Sequence, residues 1–460
     1  MKIAAVILAA GQGTRMKSAL PKVLQQLGGR PLVQYAAELA QAIGVAVPTF
    51  VVGHGMDAVQ AAVGSAAHFV VQAEQLGTGH AALQAAVLLR ASAEIVLVWY
   101  ADMPLLRPET LHAVVAAQQA NRGPLTILTA TADDARGFGR VLRDPKRRVR
   151  AVVEEAHATR RQLAMRELNA GVYCARADWL WKELARLPAS PKGEYYLTDL
   201  VGVAVVQRRN VASVQLSATD ELIGINTRAH LAEAETALRM RINQQWMAAG
   251  VHLLDPASTY IEPGVQLAPD CVILPNTHLC GTTNVGAHST IGPNSIVRDS
   301  SVGANCRIEC SVIESAVVEE DVRIGPFAHL RAGAHLARGV HMGNFGEVKN
   351  SYLGPDVKMG HFSYIGDAQI GARTNIGAGT ITCNFGMDLK KHRTVVGTDA
   401  YIGSDTLLVA PVSIGERGRT GAGSVVTHDV PADALAVGVP ARVIKRTPPE
   451  AKPAGDSLDG

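Results

Sequence analysis

What this sequence lacks narrows it before any motif is read. No apolar run approaches the roughly 20 residues that a membrane-spanning helix needs, so no membrane partner is expected. Positive charge is not gathered into blocks: 44 Lys and Arg against 41 Asp and Glu leave a net charge of +3, spread along the chain. That spread argues against nucleic acid as a partner and for small anionic ligands. Only six cysteines occur (Cys174, Cys271, Cys280, Cys306, Cys310, Cys383). They fall at no zinc-like or thioredoxin-like spacing, which predicts reduced, mostly buried thiols in a cytoplasmic protein. Aromatic residues are scarce at 4%, charged residues make up 18% and hydrophobic ones 47%, a composition that excludes disorder. The opening MKIAAVILAAGQGTR has a short apolar run flowing into a glycine turn, and reads as a buried first strand rather than a secretory leader.

What is present falls into three parts. At 460 residues the chain exceeds what one hydrophobic core usually organises. The first half alternates β-branched runs (IAAVILAA, PTFVVGHG, EIVLVWYAD) with helical patterns (PLVQYAAELAQAIG, MDAVQAAVG), which predicts an α/β domain with a mostly parallel sheet over residues 1–227. Leu231, Ala234, Leu238, Ile242 and Trp246 then recur at helical spacing and Gly250 follows, predicting a linker helix over 228–249. From 250 onward aliphatic residues recur every six positions. Leu279, Val285, Ile291 and Val297 form one run; Ile324, Leu330, Leu336, Met342 and Val348 form another. That period matches one flat side of a three-sided β-solenoid. The frame slips at Ser311–Asp321 and Thr382–Val395, read as inserted loops, and a mobile tail is expected from about residue 447. Flat solenoid sides suit a threefold assembly.

The stretch Leu8-Ala9-Ala10-Gly11-Gln-Gly13-Thr-Arg15-Met, then Pro21-Lys22, follows the first strand. Its glycines permit close backbone approach to a nucleotide, and Arg15 and Lys22 suit phosphates. It is neither a dinucleotide fingerprint nor a Walker loop. With Gln72-Ala-Glu-Gln-Leu-Gly77-Thr78-Gly, Tyr100-Ala101-Asp102, Gly137-Phe-Gly139-Arg, Glu154, Asn169 and Gly193–Asp199, it resembles the sugar-1-phosphate nucleotidyltransferases. Over nearly the whole chain the pattern is similar to the bifunctional N-acetylglucosamine-1-phosphate uridyltransferase/glucosamine-1-phosphate acetyltransferase family. The resemblance implies a Rossmann-like first domain and a left-handed parallel β-helix behind it. It implies that Leu8 to Gly11, Gln72, Gly77, Thr78, Tyr100 and Ala101 hold the uridine nucleotide. Gly139, Glu154 and Asn169 would hold the amino sugar, and Asp102 with Asn226 would carry Mg2+. The implied reaction is attack of a sugar-1-phosphate on the α-phosphate of UTP. A lone Asp at a strand end is more often a cap or turn former, and only the constellation turns that reading around.

In the second half, Leu330-Arg331-Ala-Gly, Gly346-Glu-Val-Lys349-Asn, Lys358-Met-Gly-His361-Phe-Ser-Tyr364 and Asn375-Ile-Gly-Ala378…Asn384 carry the same resemblance. Transfer of an acetyl group from acetyl-CoA to an amine needs a base near neutrality. By family position that base is His361, with Arg331, Lys349, Tyr364 and Asn375 for glucosamine-1-phosphate. Ala378, Asn384, Phe385, Ser404 and Ala422 would meet the coenzyme. Ala101, Phe385 and Val439 stand where the family usually has Gly, Tyr and Arg. Ala101 adds one methyl before the metal aspartate and is expected to be tolerated. Phe385 loses a hydroxyl and Val439 a charge, so coenzyme contact is expected to be altered, with Arg442 or Lys445 nearby to compensate. The resemblance further implies acetylation before uridylation, a precursor of peptidoglycan as product, and a homotrimer. Two other readings compete: a monofunctional nucleotidyltransferase whose solenoid only trimerises or binds a regulator, and a non-catalytic nucleotide-sugar sensor. A scaffold has no need of His361 with Arg331, Lys349 and Tyr364, and a sensor has no need of Arg15, Lys22, Asp102 and Asn226.

Overall fold

The computed structural model describes residues 2–53 and 55–444; the expected tail and Lys445 lie outside the described residues. The chain divides into two compact units between Leu238 and Arg239. That division falls inside the helix Arg228–Ala248, which buries Ala234, Leu238 and Ile242. Its first turn is tied by the Thr227 hydroxyl, which accepts from the His230 amide at 3.2 Å, as an N-cap side chain does.

The first unit is built on a nine-stranded sheet. Its main path runs Val211–Gln215, Leu125–Thr131, Glu167–Arg176, Ile95–Tyr100, Ile3–Ala9, Thr49–Val52, His68–Val71. Every neighbouring pair on this path is parallel except those made by Glu167–Arg176, which runs antiparallel to both neighbours. The first strand explains the continuous apolar run at the start of the sequence. Ala5, Ile7 and Ala9 pack into a core on one face, while Ala4, Val6 and Leu8 pack into a second core on the other. A strand covered on both faces has no solvent side, so it shows no polar alternation.

The second unit is the expected three-sided solenoid, with sheets of 12, 10 and 9 strands that the chain visits in rotation, parallel except for the last pair of the first. Within one sheet Leu279, Val297, Ile313, Leu330, Val348 and Ile365 stand in register on successive coils, and all are fully buried. Each such side chain contributes about 1.5–3 kcal/mol by leaving water. The corners use residues at positive φ, among them Asp270, Asn276, Asn294 and Asn305. Asn and Asp tolerate this conformation better than other side chains.

One expectation is corrected here. Ser311–Asp321 is no inserted loop: strands Val312–Glu314 and Val317–Val318 continue the stacks, with Ile308, Ile313, Val318 and Ile324 all buried. The frame slips because sides of the prism there take one residue fewer at the corner, where Cys310 and Ser315 adopt positive φ. The second break is a true excursion. The chain leaves after Ile381–Cys383, turns back through a Phe385–Lys391 bridge and rejoins at Thr394–Val396, which pairs with Ala368–Ile370. At the far end the antiparallel pair Leu435–Gly438 and Ala441–Ile444 finishes the 12-stranded sheet, covering an edge that would otherwise offer a free ladder. All six cysteines are free thiols; Cys174, Cys271 and Cys306 are buried and the other three are half-buried.

Candidate active sites

In the first unit, strands Ile3–Ala9 and Ile95–Tyr100 end side by side, with Leu8 in register with Tyr100. The carboxyl edge of a parallel sheet is where such folds leave room for ligands. A cleft of about 310 Å³ opens there, lined by Leu8, Ala9, Ala10, Gly11, Lys22, Gln72, Gly77, Thr78, Tyr100 and Asp102. Val23, Gln75, Ala81 and Glu194 complete its wall. Two glycines make the close approaches possible. Gly13 has φ +65°, and a Cβ there would lie 2.5 Å from the Lys22 Cβ; only glycine lets the lysine stem pass. Gly77 has φ +98°, and its Cβ would lie 2.6 Å from the Tyr195 carbonyl oxygen. The helix it caps, Thr78–Gln84, is locked to the Gly193–Asp199 segment, since the Thr78 hydroxyl accepts from the Leu197 amide at 3.0 Å. Gln72 donates to the Gly77 carbonyl at 3.0 Å, and Gln75 donates to the Ala10 carbonyl at 2.8 Å.

Cations and oxygens converge at the mouth of this cleft. The Lys22 ammonium donates to the Asp102 carboxylate and, at 3.1 Å, to Asn226 Oδ1. Arg15 Nη2 donates to the same Asn226 Oδ1 at 3.1 Å. The backbone sets this up: Ile225 donates its amide to the Asp102 carbonyl at 2.9 Å, bringing Asn226 beside a residue far away in sequence. Among the described residues no group of three or more His, Cys, Asp or Glu is arranged to hold a metal ion. The chain nevertheless brings one carboxylate and one amide oxygen to a common cation. Mg2+ prefers hard oxygen donors and takes most of its shell from phosphate and water, so this donor pair fits it.

On the other side of Tyr100 lies a buried polar chain. The Tyr100 hydroxyl lies near the side chains of Thr78 and Tyr173, and Asn169 Nδ2 donates to the Tyr173 hydroxyl at 2.6 Å. Burial pushes both phenols well above their usual range. Asn169 is buried, yet its Oδ1 has no hydrogen-bond partner among the described residues, a cost that a ligand donor would remove. Its backbone amide donates to the Gly139 carbonyl at 2.8 Å. Glu154 accepts from the Thr198 hydroxyl at 2.7 Å, and burial raises its carboxyl above the usual range, with Asp199 and Glu194 adding to the rise. Ala101 behaves differently from its neighbours: its side chain is fully buried in the core, and its amide donates to the Leu8 carbonyl at 3.0 Å.

The solenoid spreads its candidates over a corner, the two sheet faces beside it, the excursion and the final hairpin. His361 lies exposed at a corner, and the register puts Ala378, Ser404 and Ala422 at the same corner on the following coils. Arg331, Lys349 and Tyr364 stand on the outer surface of the sheet that follows His361. Arg331 is paired with Glu347 at 2.8 Å, which raises its pKa further. The Lys391 ammonium beside it, donor against donor and like charge against like, lowers that of Lys349, with Arg331 adding to the effect. Asn384 donates to Asp367 and, at 3.5 Å, to the Tyr364 hydroxyl. Asn375 sits on the outer surface of the sheet before the His361 corner, in register with Lys358. Phe385 is 62% exposed on the excursion, and Val439 is 72% exposed between the two strands of the final hairpin. Arg442 pairs with Val437 on that hairpin.

Residues 5–192 match the MobA-like NTP transferase domain family. Over its length the chain is similar to proteins named Bifunctional protein GlmU. It is 44% identical to that of Heliobacterium modesticaldum over 438 residues, covering 95% of each chain. It is 43% identical to that of Pelobacter propionicus over 439 residues, again 95% of each. With the Exiguobacterium sp. protein it shares 43% over 434 residues, 94% of this chain and 96% of the relative. The chain belongs to the GlmU family. Both halves of the GlmU pattern are therefore present, from the glycine loop to the last coils of the solenoid. Sequence reasoning left several neighbours of these sites without a role. Gln75 and Glu194 lay inside quoted motifs, so the signal was there. Glu347, Asp367 and Lys391 also lie in or beside motif stretches, but their spacing pointed to no partner, because their contacts depend on how coils stack and how the excursion folds back.

Proposed function

We propose that the chain makes UDP-N-acetylglucosamine in two steps: acetyl transfer from acetyl-CoA to glucosamine-1-phosphate, then uridyl transfer from UTP to N-acetylglucosamine-1-phosphate. The observation that carries this reading is that both constellations stand on one GlmU-family chain. The cations Arg15 and Lys22 and the oxygens of Asp102 and Asn226 sit at the edge of the sheet, and His361 stands at the corner before the solenoid face that carries Arg331, Lys349 and Tyr364. Residues 1–227 are the uridyltransferase domain, 228–249 the linker helix, and 250 onward the acetyltransferase domain.

For acetyl transfer, Arg331 and Lys349 hold the sugar phosphate, with Tyr364 and Asn375 beside it. The phosphate also relieves the repulsion between Lys349 and Lys391. His361 accepts a proton as the sugar amine attacks the thioester carbonyl; the C–N bond forms, the C–S bond breaks and coenzyme A leaves as its thiol. The coenzyme lies along the Ala378, Ser404 and Ala422 corner, with Asn384 and Phe385 at its side. For uridyl transfer, Leu8 to Gly11, Gln72, Gly77, Thr78 and Tyr100 receive the nucleotide, with Ala101 buried in the core behind them, and Gly139, Glu154 and Asn169 receive the sugar. The sugar phosphate oxygen attacks the α-phosphorus of UTP and pyrophosphate departs, with Arg15 and Lys22 neutralising charge on the phosphate oxygens. Asp102 and Asn226 hold Mg2+, which supplies further charge neutralisation there when bound.

A homotrimer is part of the proposal. Phe327, Phe345 and Phe362 lie exposed along one solenoid corner, the first two stacked at 5.4 Å, an apolar strip suited to a neighbouring copy. A cytoplasmic location accords with the free thiols, and no helix among the described residues is long and apolar enough to cross a membrane. Purified protein supplied with glucosamine-1-phosphate and acetyl-CoA should release coenzyme A. Supplied with N-acetylglucosamine-1-phosphate, UTP and Mg2+, it should release pyrophosphate. Strong pyrophosphate release without coenzyme A release would instead make the solenoid a scaffold.

A further inference from the structure

The contacts around Asn226 carry a consequence for the order in which ligands bind. An amide oxygen has two lone pairs, and both are engaged: Arg15 Nη2 and Lys22 Nζ each donate to Asn226 Oδ1 at 3.1 Å. Lys22 also grips the Asp102 carboxylate. Two side-chain cations, together carrying the charge of one divalent metal, thus stand against Asp102 Oδ2 and Asn226 Oδ1, on both residues assigned to the metal. Mg2+ binds oxygen at about 2.0–2.1 Å, a distance at which Asn226 Oδ1 cannot keep both of its donors. A dication approaching unaccompanied also meets two like charges at contact range.

The Lys22 stem is confined, since it passes against Gly13 and its side chain is only 12% exposed. Its ammonium is on a flexible arm, however, and Lys22 lines the nucleotide cleft. A triphosphate in that cleft offers both cations a new and stronger set of partners.

We propose that Arg15 and Lys22 act as a built-in placeholder for the metal. They hold the Asp102 and Asn226 oxygens together until the nucleotide phosphates draw them off, so the metal binds with or after UTP and not before it. The two cations then serve twice, first as counter-charge for the metal ligands and afterwards as phosphate ligands. This rests on the reading of Asp102 and Asn226 as metal ligands.

The test is binding, not turnover. Mn2+ is titrated by electron paramagnetic resonance into the full-length protein, alone and with the α,β-methylene analogue of UTP. Wild type, Lys22→Met, Arg15→Met and Asp102→Asn are compared, with melting curves to confirm folding. Lys22→Met should bind Mn2+ alone roughly tenfold or more tightly than wild type, and its affinity should rise less on adding the analogue. Arg15→Met, at an exposed position whose guanidinium donates to Asn226, should shift the same way by a smaller factor. Bare Mn2+ affinity that is unchanged or weaker in both variants overturns the placeholder. If Asp102→Asn leaves Mn2+ binding with the analogue unaltered, the metal-ligand reading itself fails, and the placeholder with it.

Discussion

The two halves of this molecule assemble a site in opposite ways. In the first unit Arg15, Lys22, Asp102 and Asn226 come from distant parts of the sequence and meet because strand ends and one backbone hydrogen bond, Ile225 to Asp102, bring them together. In the solenoid, His361, Ala378, Ser404 and Ala422 meet because each lies one coil from the next, and the ladder register alone aligns them. The cleft depends on a few unique close approaches, and the solenoid wall on a repeated one. A single misfit therefore acts differently in each: it disables chemistry at the cleft, and it weakens a long cooperative stack in the solenoid.

Substitutions can break this contrast, and the largest effects should come from the chemistry itself. Asp102→Asn keeps the shape and removes the charge, and should lower pyrophosphate release about 10³-fold while coenzyme A release stays at the wild-type rate. His361→Asn should lower coenzyme A release by about 10²–10⁴ and spare pyrophosphate release. Ile365→Ala removes a fully buried rung of the solenoid and should cost about 3 kcal/mol in the denaturant transition of that unit. Uridyl transfer below the transition should not change. Gly77→Ala forces a side chain into a left-handed conformation and against Tyr195. It should raise the KM for UTP about tenfold and destabilise the first unit by about 1–2 kcal/mol.

The smallest effect concerns Glu154. Burial raises its pKa, so the folded state disfavours the ionised carboxylate. Its stabilising share is present below the ordinary glutamate value and is lost as pH rises through the higher, folded-state value. Glu154→Gln keeps an oxygen for Thr198 without the charge. Melting of the first unit should therefore favour the variant by about 2 °C near pH 7.5, and the difference should close toward pH 4. An advantage that instead grew toward low pH would contradict the sign.

Legibility followed the same division. The hexads and the βαβ alternation were visible because each records a local, periodic constraint on burial. The one misreading, Ser311–Asp321, came from treating the period as rigid; a corner such as Cys310 can take one residue fewer while Ile313 and Val318 stay inside. Ala101 was legible as part of a motif but not as a core side chain, because its direction follows from the pleat at a strand end. The grip of Lys22 and Arg15 on Asn226 left no trace in spacing, and neither did the engagement of Gln75 with Ala10. Those contacts exist only once the sheet has formed.

Complementation tests most directly the central claim of two self-sufficient sites on one chain. Asp102→Asn and His361→Asn proteins, each alone and then mixed, are given glucosamine-1-phosphate, acetyl-CoA, UTP and Mg2+, and UDP-N-acetylglucosamine is measured. Each variant alone should make little or none, and the mixture should make it readily as N-acetylglucosamine-1-phosphate passes from one protein to the other. A mixture as silent as its components would contradict the account.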